Sequence, residues 1–437
     1  MKQLSIDSLI VGFALFAMFF GAGNIIFPPY VGLASGPEWM LGYLCYYIAD
    51  VGLALLAIFA MLRANSIDKV EGIMLRLGKT PSLIMMGAAV VCLGPLLAVP
   101  RTGATTFSMS VIPLAGTDAM WLQIIFTMVY FGLTLLLSLN ESKLVDIVGR
   151  YLTPLLVIGL FLMIIVGAIN PIGPISDMPK LDNVVWTGIS SGYQTMDVLA
   201  ALVFGLIVVN ALKAKGYTSP KHKLLSVGIS SIVAGVLLLL IYGGLCYLGA
   251  TVSTMYPEDI DKGLLVVSIS KHIFGEVGSV ILSVTVALAC LTTAVALVGA
   301  TGTFFSTVSH GKLPYKAVVT VVCVFSAVVA NFGLSNIISL AAPILTVIYP
   351  GALVVVLLSL FDNQISNDNI FKFATAGALV VSFCEVMGWY FPDAFSFINA
   401  LPFQAAGFSW VIPAVVCGII GTFKKSAPHG EGTPTEA

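Results

Sequence analysis

The sequence predicts an all-α integral membrane protein with twelve transmembrane helices. Three observations predict it: the composition, the lengths of the apolar runs, and the side on which the loop charges fall. Of the 437 residues, 58% are apolar types and only 9% are charged, against about 25% charged in a soluble domain. That shortfall excludes an ordinary globular enzyme, a nucleic-acid binder and a disordered chain. A net charge of −1 leaves no basic surface for phosphates. A hydrocarbon core of roughly 30 Å takes about 20 helical residues to cross, so twelve crossings need about 240, which the apolar content supplies.

The spans fall at 7–31, 39–62, 82–112, 120–139, 146–168, 185–210, 224–249, 277–306, 317–333, 337–361, 372–391 and 398–421. The first outlasts the apolar region of a signal peptide, and no small-residue cleavage site follows promptly, so it is read as a span. Loop charge sets the orientation. Sixteen of the 20 basic residues lie on one side, from Lys2 through Lys143 and Arg150 to Lys424 and Lys425. Lys180, Lys262 and Lys271 lie on the other, and Arg101 is inside a span. The positive-inside rule then puts both termini in the cytoplasm. Residues 250–276 form the longest outside loop, and 264–269 read as a helix lying along the surface, a candidate lid. One transmembrane domain is expected over 1–423, followed by a short disordered cytoplasmic tail at 424–437.

Two spans have awkward middles. The first contains Phe19-Phe20-Gly21-Ala22-Gly23-Asn24 ahead of Pro28 and Pro29. Glycine costs about 1 kcal/mol and proline about 3 kcal/mol in a helix interior, so local unwinding is favoured there. The sixth contains Ser190-Ser191-Gly192-Tyr193-Gln194-Thr195-Met196-Asp197, a polar interruption of an apolar run. Irregular backbone at membrane depth is tolerated only where protein or a watery cavity covers it. The breaks lie 169 residues apart, Gly23 to Gly192, in spans that cross in opposite directions. Spans one to five and six to ten therefore read as inverted copies, with a central binding site at the paired breaks. The alternative is that these glycines only let helices pack closely. A half-helix N-terminus offers free N–H groups suited to a carboxylate, and a half-helix C-terminus offers carbonyls suited to ammonium or Na⁺. On this reading two breaks hold a zwitterion without arginine, and neither contains one.

Four ionisable residues lie within spans, where a central charge costs about 2.5–3.5 kcal/mol on insertion scales: Asp50, Arg101, Asp197 and Glu385. Asp197 follows the second break, either as an N-cap of the second half-helix or as a ligand for a cation or ammonium. Arg101 and Asp50 suit a structural or gating ion pair, with each other or with Asp197. Glu385 is assigned a packing or interfacial role, and Asp7, opening the first span, a cap or an inner-gate contact. The run from Gly72 to Thr80 resembles a phosphate-binding loop, but five residues separate its glycines where the motif needs four. It is read as basic anchoring at the membrane surface, and ATP drive is not expected. No histidine lies in a span, and the seven scattered cysteines form neither a metal knuckle nor a disulfide framework. With no nucleophile–base pair in a span either, an intramembrane enzyme is not expected.

Three stretches carry a family likeness: Leu15-Phe16-Ala17-Met18-Phe19-Phe20-Gly21-Ala22-Gly23-Asn24-Ile25-Ile26-Phe27-Pro28-Pro29, Gly94-Pro95-Leu96-Leu97-Ala98-Val99-Pro100-Arg101-Thr102-Gly103 and Ser138-Leu139-Asn140-Glu141-Ser142-Lys143. In them, and from residue 1 to about 420, the chain resembles the bacterial branched-chain amino acid carriers of the BrnQ type, a branched-chain amino acid:cation symporter family. The resemblance implies import of leucine, isoleucine and valine across the cell inner membrane by Na⁺-coupled symport with alternating access. It also implies the five-plus-five inverted-repeat fold of sodium–solute symporters with broken helices one and six. The repeats would span about 5–170 and 183–362, with two extra helices over 372–421.

The resemblance also implies a site. Na⁺ would be held by the carbonyls of Ala17, Phe20 and Ala289 and the hydroxyls of Thr292 and Thr293; for the hydroxyls, back-bonding to the preceding turn is the structural alternative. The substrate carboxylate would meet the N–H groups of Ala22, Gly23 and Asn24. Its ammonium would meet carbonyls near Phe20 and Tyr193 and the side chain of Gln194 or Thr195. A hydrophobic pocket separates one methylene by only about 1–3 kcal/mol, so one carrier serving three aliphatic amino acids is reasonable. The implied partners are the amino acid and the bilayer, with Na⁺ as coupling ion and no other cofactor. Nucleic acid or an obligate protein partner is not expected. Asp50 and Asp197 leave H⁺ open as coupling ion, since a proton needs a titratable group, and another small solute stays open as cargo. A channel is disfavoured because no ring-forming filter motif is present.

Overall fold

The computed structural model describes residues 2–424 apart from 65, 68, 70, 141–144, 196, 218, 405 and 406. The third family-like stretch from 141 onward and the tail expected to be disordered from 425 onward lie outside the described residues. Regular structure in the described residues is entirely helical. Backbone in hydrocarbon finds no water, so each apolar run closes its N–H and C=O groups on itself.

In chain order the helices are α1 (Lys2–Phe19), α2 (Ala22–Ser35), α3 (Trp39–Tyr47), α4 (Leu53–Arg63), α5 (Lys79–Val91), α6 (Ala98–Thr106), α7 (Ile112–Ala115), α8 (Met120–Ser138) and α9 (Thr153–Ile169). Then come α10 (Val184–Tyr193), α11 (Asp197–Ala214), α12 (Pro220–Ala250), α13 (Lys262–Phe274), α14 (Glu276–Val308), α15 (Tyr315–Val329), α16 (Leu334–Ser359), α17 (Asp368–Tyr390) and α18 (Val411–Thr422). Joined where they continue one another, they give nine helices long and apolar enough to cross a membrane among the described residues. Three shorter apolar helices, Ile6–Phe19, Thr346–Ser359 and Val411–Thr422, stand beside them.

The chain divides into two compact units, Met1–Leu55 with Val90–Ala341, and Leu56–Ala89 with Ala342–Ala437. In the first, α1 and α2 pack along α12, α10 packs on α3, and α14 touches α6, α9, α11, α13 and α15. The α2–α12 contact is backbone against backbone. A Cβ at Gly32 would overlap the Cys246 carbonyl, and one at Gly249 would overlap the Pro29 carbonyl. Hydrocarbon supplies no hydrophobic drive between helices, so small residues at close crossings stabilise the bundle through dispersion.

Four widened π turns among the described residues were not anticipated from the sequence, and two of them bear on the site. A widened π turn over Ile48–Gly52, containing Asp50, joins α3 to α4. A second, over Cys92–Leu96, has non-helical Gly94 (φ −79°, ψ −110°) ahead of Pro95 and leads into α6. Proline removes a backbone donor and clashes with the preceding turn, which accounts for the second. The helix expected at 264–269 is longer than those six residues. It spans Lys262–Phe274, is N-capped by Asp261 accepting the Leu264 N–H at 2.9 Å, and buries Leu265, Val266 and Ile269 against its neighbours.

In the second unit α17 and α18 form a tight pair, with Gly421 against the Asn369 carbonyl. The expected last span of 398–421 is corrected here. Ser396–Ala400 is a 3₁₀ turn, Phe403 and Gly407 take positive φ, and the helix begins only at Val411. The basic loop is also corrected. Gly72–Leu77 is a 3₁₀ turn, and Arg76 is not a surface anchor but only 4% exposed. Its Nε lies 3.0 Å from Asp368 and 3.6 Å from Asp362, its Nη2 donates to the Ile365 carbonyl, and its guanidinium stacks 4.3 Å over the Phe371 ring. Removing one partner of a buried ion cluster strands the others. Arg76→Ala is therefore expected to cost about 3–5 kcal/mol. Thermal unfolding of the detergent-solubilised protein measures this, and an unchanged midpoint would refute the anchoring role.

Candidate functional site

The site starts from the two-residue gap between α1 and α2. The Gly21 N–H would bond the Ala17 carbonyl if the helix continued. Gly21 is instead extended (φ −100°, ψ −164°), and its N–H bonds the Phe19 carbonyl at 2.8 Å. The Ala17 carbonyl is thereby released, and α14 uses it. The hydroxyls of Thr292 and Thr293 both donate to it at 3.1 Å. Thr292 also lies 2.9 Å from the Ala289 carbonyl. Four of the five oxygens expected around a cation are therefore drawn together by two helices. For the fifth, the Phe20 carbonyl, only the residue's setting is seen: its ring is fully buried, stacked on Phe16 at 5.5 Å and beside Tyr242 at 5.9 Å. Neutral hard oxygens of this kind suit an alkali cation.

On the other side of the gap, Ala22, Gly23 and Asn24 open α2, are buried, and have N–H groups with no acceptor in the preceding turn. The double proline leaves α2 helical and instead withdraws the N–H partners of the Asn24 and Ile25 carbonyls. The Asn24 side chain has a role the sequence did not suggest. Its amide nitrogen lies 2.8 Å from Asp197 Oδ2, 3.2 Å from Asp50 Oδ2 and 2.8 Å from the Tyr242 hydroxyl. Three acceptors thus compete for two hydrogens. Thr195 donates to Asp50 Oδ1 at 2.8 Å and also lies 2.6 Å from the Gly192 carbonyl. Tyr46, fully buried, stands beside Asp50 and edge-on to Tyr242 at 5.3 Å. Neither tyrosine was singled out in the sequence; a hydroxyl in an otherwise apolar span was the available signal.

Asp197 is the first residue of α11, and its carboxylate accepts from Asn24 rather than from a first-turn N–H. The N-cap reading is therefore set aside. Tyr193 is half-buried at the end of α10, Gln194 is exposed and Thr195 is buried in the turn that follows. The close fit of α10 on α3 sets their positions. A Cβ at Gly192 would stand 2.7 Å from the Tyr46 carbonyl and 3.0 Å from the Asp50 N–H nitrogen.

The pairing expected of Arg101 is also corrected. Among the described residues no ion pair joins it to Asp50 or Asp197, and its buried Nε has no hydrogen-bond partner. The guanidinium instead reaches the gap in α1–α2, with Nη2 3.4 Å from where a Cβ of Gly23 would be. An arginine thus stands at the break after all, supplied by α6 rather than by either interrupted span. Glu385, in the second unit, accepts from the Ser409 hydroxyl at 2.5 Å, a packing role.

At the other end of α1, Asp7 accepts from the Tyr217 hydroxyl at 2.7 Å. Lys215 lies 3.5 Å from Asp7 and 2.8 Å from Asp146. Burial works against the Lys215 ammonium, but the two carboxylates outweigh it and its pKa is raised. The stabilisation is therefore complete below the ordinary lysine range and is lost as pH rises through the higher folded value.

A model of the family described as branched-chain amino acid transport protein matches residues 4–427. The chain belongs to that family. Similar proteins include the branched-chain amino acid permease BraB of Bacillus subtilis, 36% identical over 95% of this chain and 94% of that one. The branched-chain amino acid permease BrnQ of Salmonella typhimurium is 34% identical over 95% and 94%. Relatives of this transporter are named permeases and carriers, not enzymes. Among solved structures, a Na⁺-coupled sialic acid symporter aligns with TM-score 0.62 at 14% identity, covering 97% of this chain and 91% of its own. Mhp1, a nucleobase-cation-symport-1 family transporter, aligns with TM-score 0.58 at 14% identity, covering 95% and 92%. The transporter therefore shares their fold, and its apolar helices make it a multi-pass membrane protein.

Replacing Asn24 by alanine takes the shared donor from two buried carboxylates. The expected loss is about 1–3 kcal/mol of stability, partly restored by adding Asp50→Asn. Unfolding midpoints of the wild type and the two variants test this; a wild-type midpoint for N24A would show that the bridge carries no stability.

Proposed function

We propose that this protein imports leucine, isoleucine and valine across a cell inner membrane by Na⁺-coupled symport, with both termini in the cytoplasm. The family relatives named branched-chain amino acid permeases support the substrate class. The observation that carries the ion is the convergence of the Thr292 and Thr293 hydroxyls on the Ala17 carbonyl that Gly21 releases. With Na⁺ bound, both hydroxyls turn their lone pairs to the ion and their hydrogens elsewhere, and Ala17, Phe20 and Ala289 supply the carbonyls. The amino acid lies between the two breaks, its carboxylate towards Ala22, Gly23 and Asn24. Its ammonium lies towards the carbonyl end of α10 and the Thr195–Asp50 side.

Alternating access follows from the site's position. Ion and substrate both engage the α1–α2 gap, so filling it biases how α1 and α2 sit against α14 and α6. The inverted repeat of spans one to five and six to ten supplies two related halves for that motion. The contacts of Asp7 with Lys215 and Tyr217 are the inner-gate candidates.

One observation favours a second reading, H⁺ as coupling ion. Asp50 and Asp197 meet on a single amide, and a proton shared there would relieve two adjacent negative charges. Uptake of labelled leucine into proteoliposomes under separate Na⁺ and H⁺ gradients decides between them. Uptake driven by Na⁺ alone is expected, and uptake driven only by H⁺ would reject the Na⁺ reading. Thr292→Ala and Thr293→Ala are each expected to raise the Na⁺ concentration for half-maximal uptake by about tenfold, the equivalent of one lost hydroxyl ligand at roughly 1.4 kcal/mol. Unchanged Na⁺ dependence in both would remove the ion assignment.

A further inference from the structure

We propose that Arg101 binds the α-carboxylate of the transported amino acid, clamping it against the N-terminus of α2; this rests on the amino acid reading above. The argument begins with a mismatch of like charges. The start of α2 carries the positive end of a helix dipole, and the Arg101 guanidinium stands beside it, close to Gly23. An anion placed near both of these positive groups would stabilise them together. The acids in the neighbourhood are committed elsewhere. Asp197 and Asp50 accept from Asn24, Asp50 also accepts from Thr195, and neither reaches Arg101 as an ion pair. The buried Nε is left without a hydrogen bond.

The complement lies at the Asn24 side chain. Two carboxylates share one neutral amide donor there, which leaves them short of positive charge. The site therefore holds both signs without an ion pair between them: the guanidinium and helix N-terminus, and a carboxylate pair. A zwitterion satisfies both, whereas a simple anion or a simple amine satisfies one. A guanidinium fork fits a carboxylate with two parallel N–H···O bonds, a geometry lysine lacks. A Cβ at Gly23 would be in ordinary contact with the guanidinium and the Phe27 ring, which places the guanidinium at the first turn of α2. The arginine that neither interrupted span supplies comes from α6, which follows the kink at Gly94 and Pro95.

The test is a binding cycle on the purified, detergent-solubilised protein, with displacement of labelled leucine by leucine, 3-methylbutylamine and 4-methylpentanoate. In the wild type, loss of the carboxylate from the ligand is expected to weaken binding about 10- to 100-fold, as for a charged hydrogen-bonded pair. In Arg101→Gln, leucine is expected to fall to the affinity of the amine, while the amine itself stays within about threefold of its wild-type value. Arg101→Lys should recover part of the leucine affinity and serves as the variant if Arg101→Gln does not fold. Equal weakening of leucine and amine by Arg101→Gln would mean a structural role and would overturn the proposal. So would a wild type that binds the amine as well as leucine. If the wild type binds alanine or phenylalanine but not leucine, the branched-chain reading fails while the carboxylate clamp stands, and the same cycle is run with those amino acids and their amines.

Discussion

Hydrocarbon offers no hydrogen-bonding partner, and every feature of the central site follows from where this chain leaves peptide groups unpaired. The extended Gly21 turns its N–H to the Phe19 carbonyl instead of Ala17. That one exchange releases an acceptor on the α1 side, while the start of α2 frees a row of donors. Two threonines of α14 find the acceptor, and an arginine of α6 arrives beside the donors. Ionised side chains are thus not needed to make the site polar; they adjust a polarity the backbone already has.

Close packing keeps this arrangement in place. Glycines at Gly32 and Gly249 let α2 and α12 touch through their backbones, and Gly188 and Gly192 do the same for α10 on α3. The second contact brings the turn at Thr195 against Asp50, so the network around Asn24 depends on small residues one and two turns before that threonine. Dispersion at these crossings replaces the hydrophobic drive that a soluble core would use. Arg76 plays a comparable part in the second unit, where a buried ion cluster and a ring hold a short turn.

The charged residues divide by what they can reach. Asp50 and Asp197 are joined through a neutral amide, which holds them together without neutralising them. Arg101 keeps apart from both and faces the helix start. Opposite charges that are buried in one region without pairing leave both signs with unused interaction capacity. A paired Arg101–Asp197 would have been easier to bury and would have offered a ligand less.

Composition, apolar run length and loop charge were enough to read a helical membrane protein, because crossing hydrocarbon constrains those properties directly. Glycine next to asparagine at 21–24, and the adjacent threonines at 292 and 293, marked residues that meet in space, since each departs from what an uninterrupted apolar helix uses. The burial of Arg76 was not legible, because it depends on Asp362, Asp368 and Phe371, distant in sequence; the π turns at Asp50 and Gly94 and the late start of α18 at Val411 were not read either. Whether Asp197 caps a helix or joins a network, and whether Arg101 pairs with an acid or faces the helix break, was open in the one-dimensional chain. Only tertiary structure decided these, because a charge's role is set by the nearest opposing groups, and here those come from Asn24, Tyr242 and Gly23 on other helices.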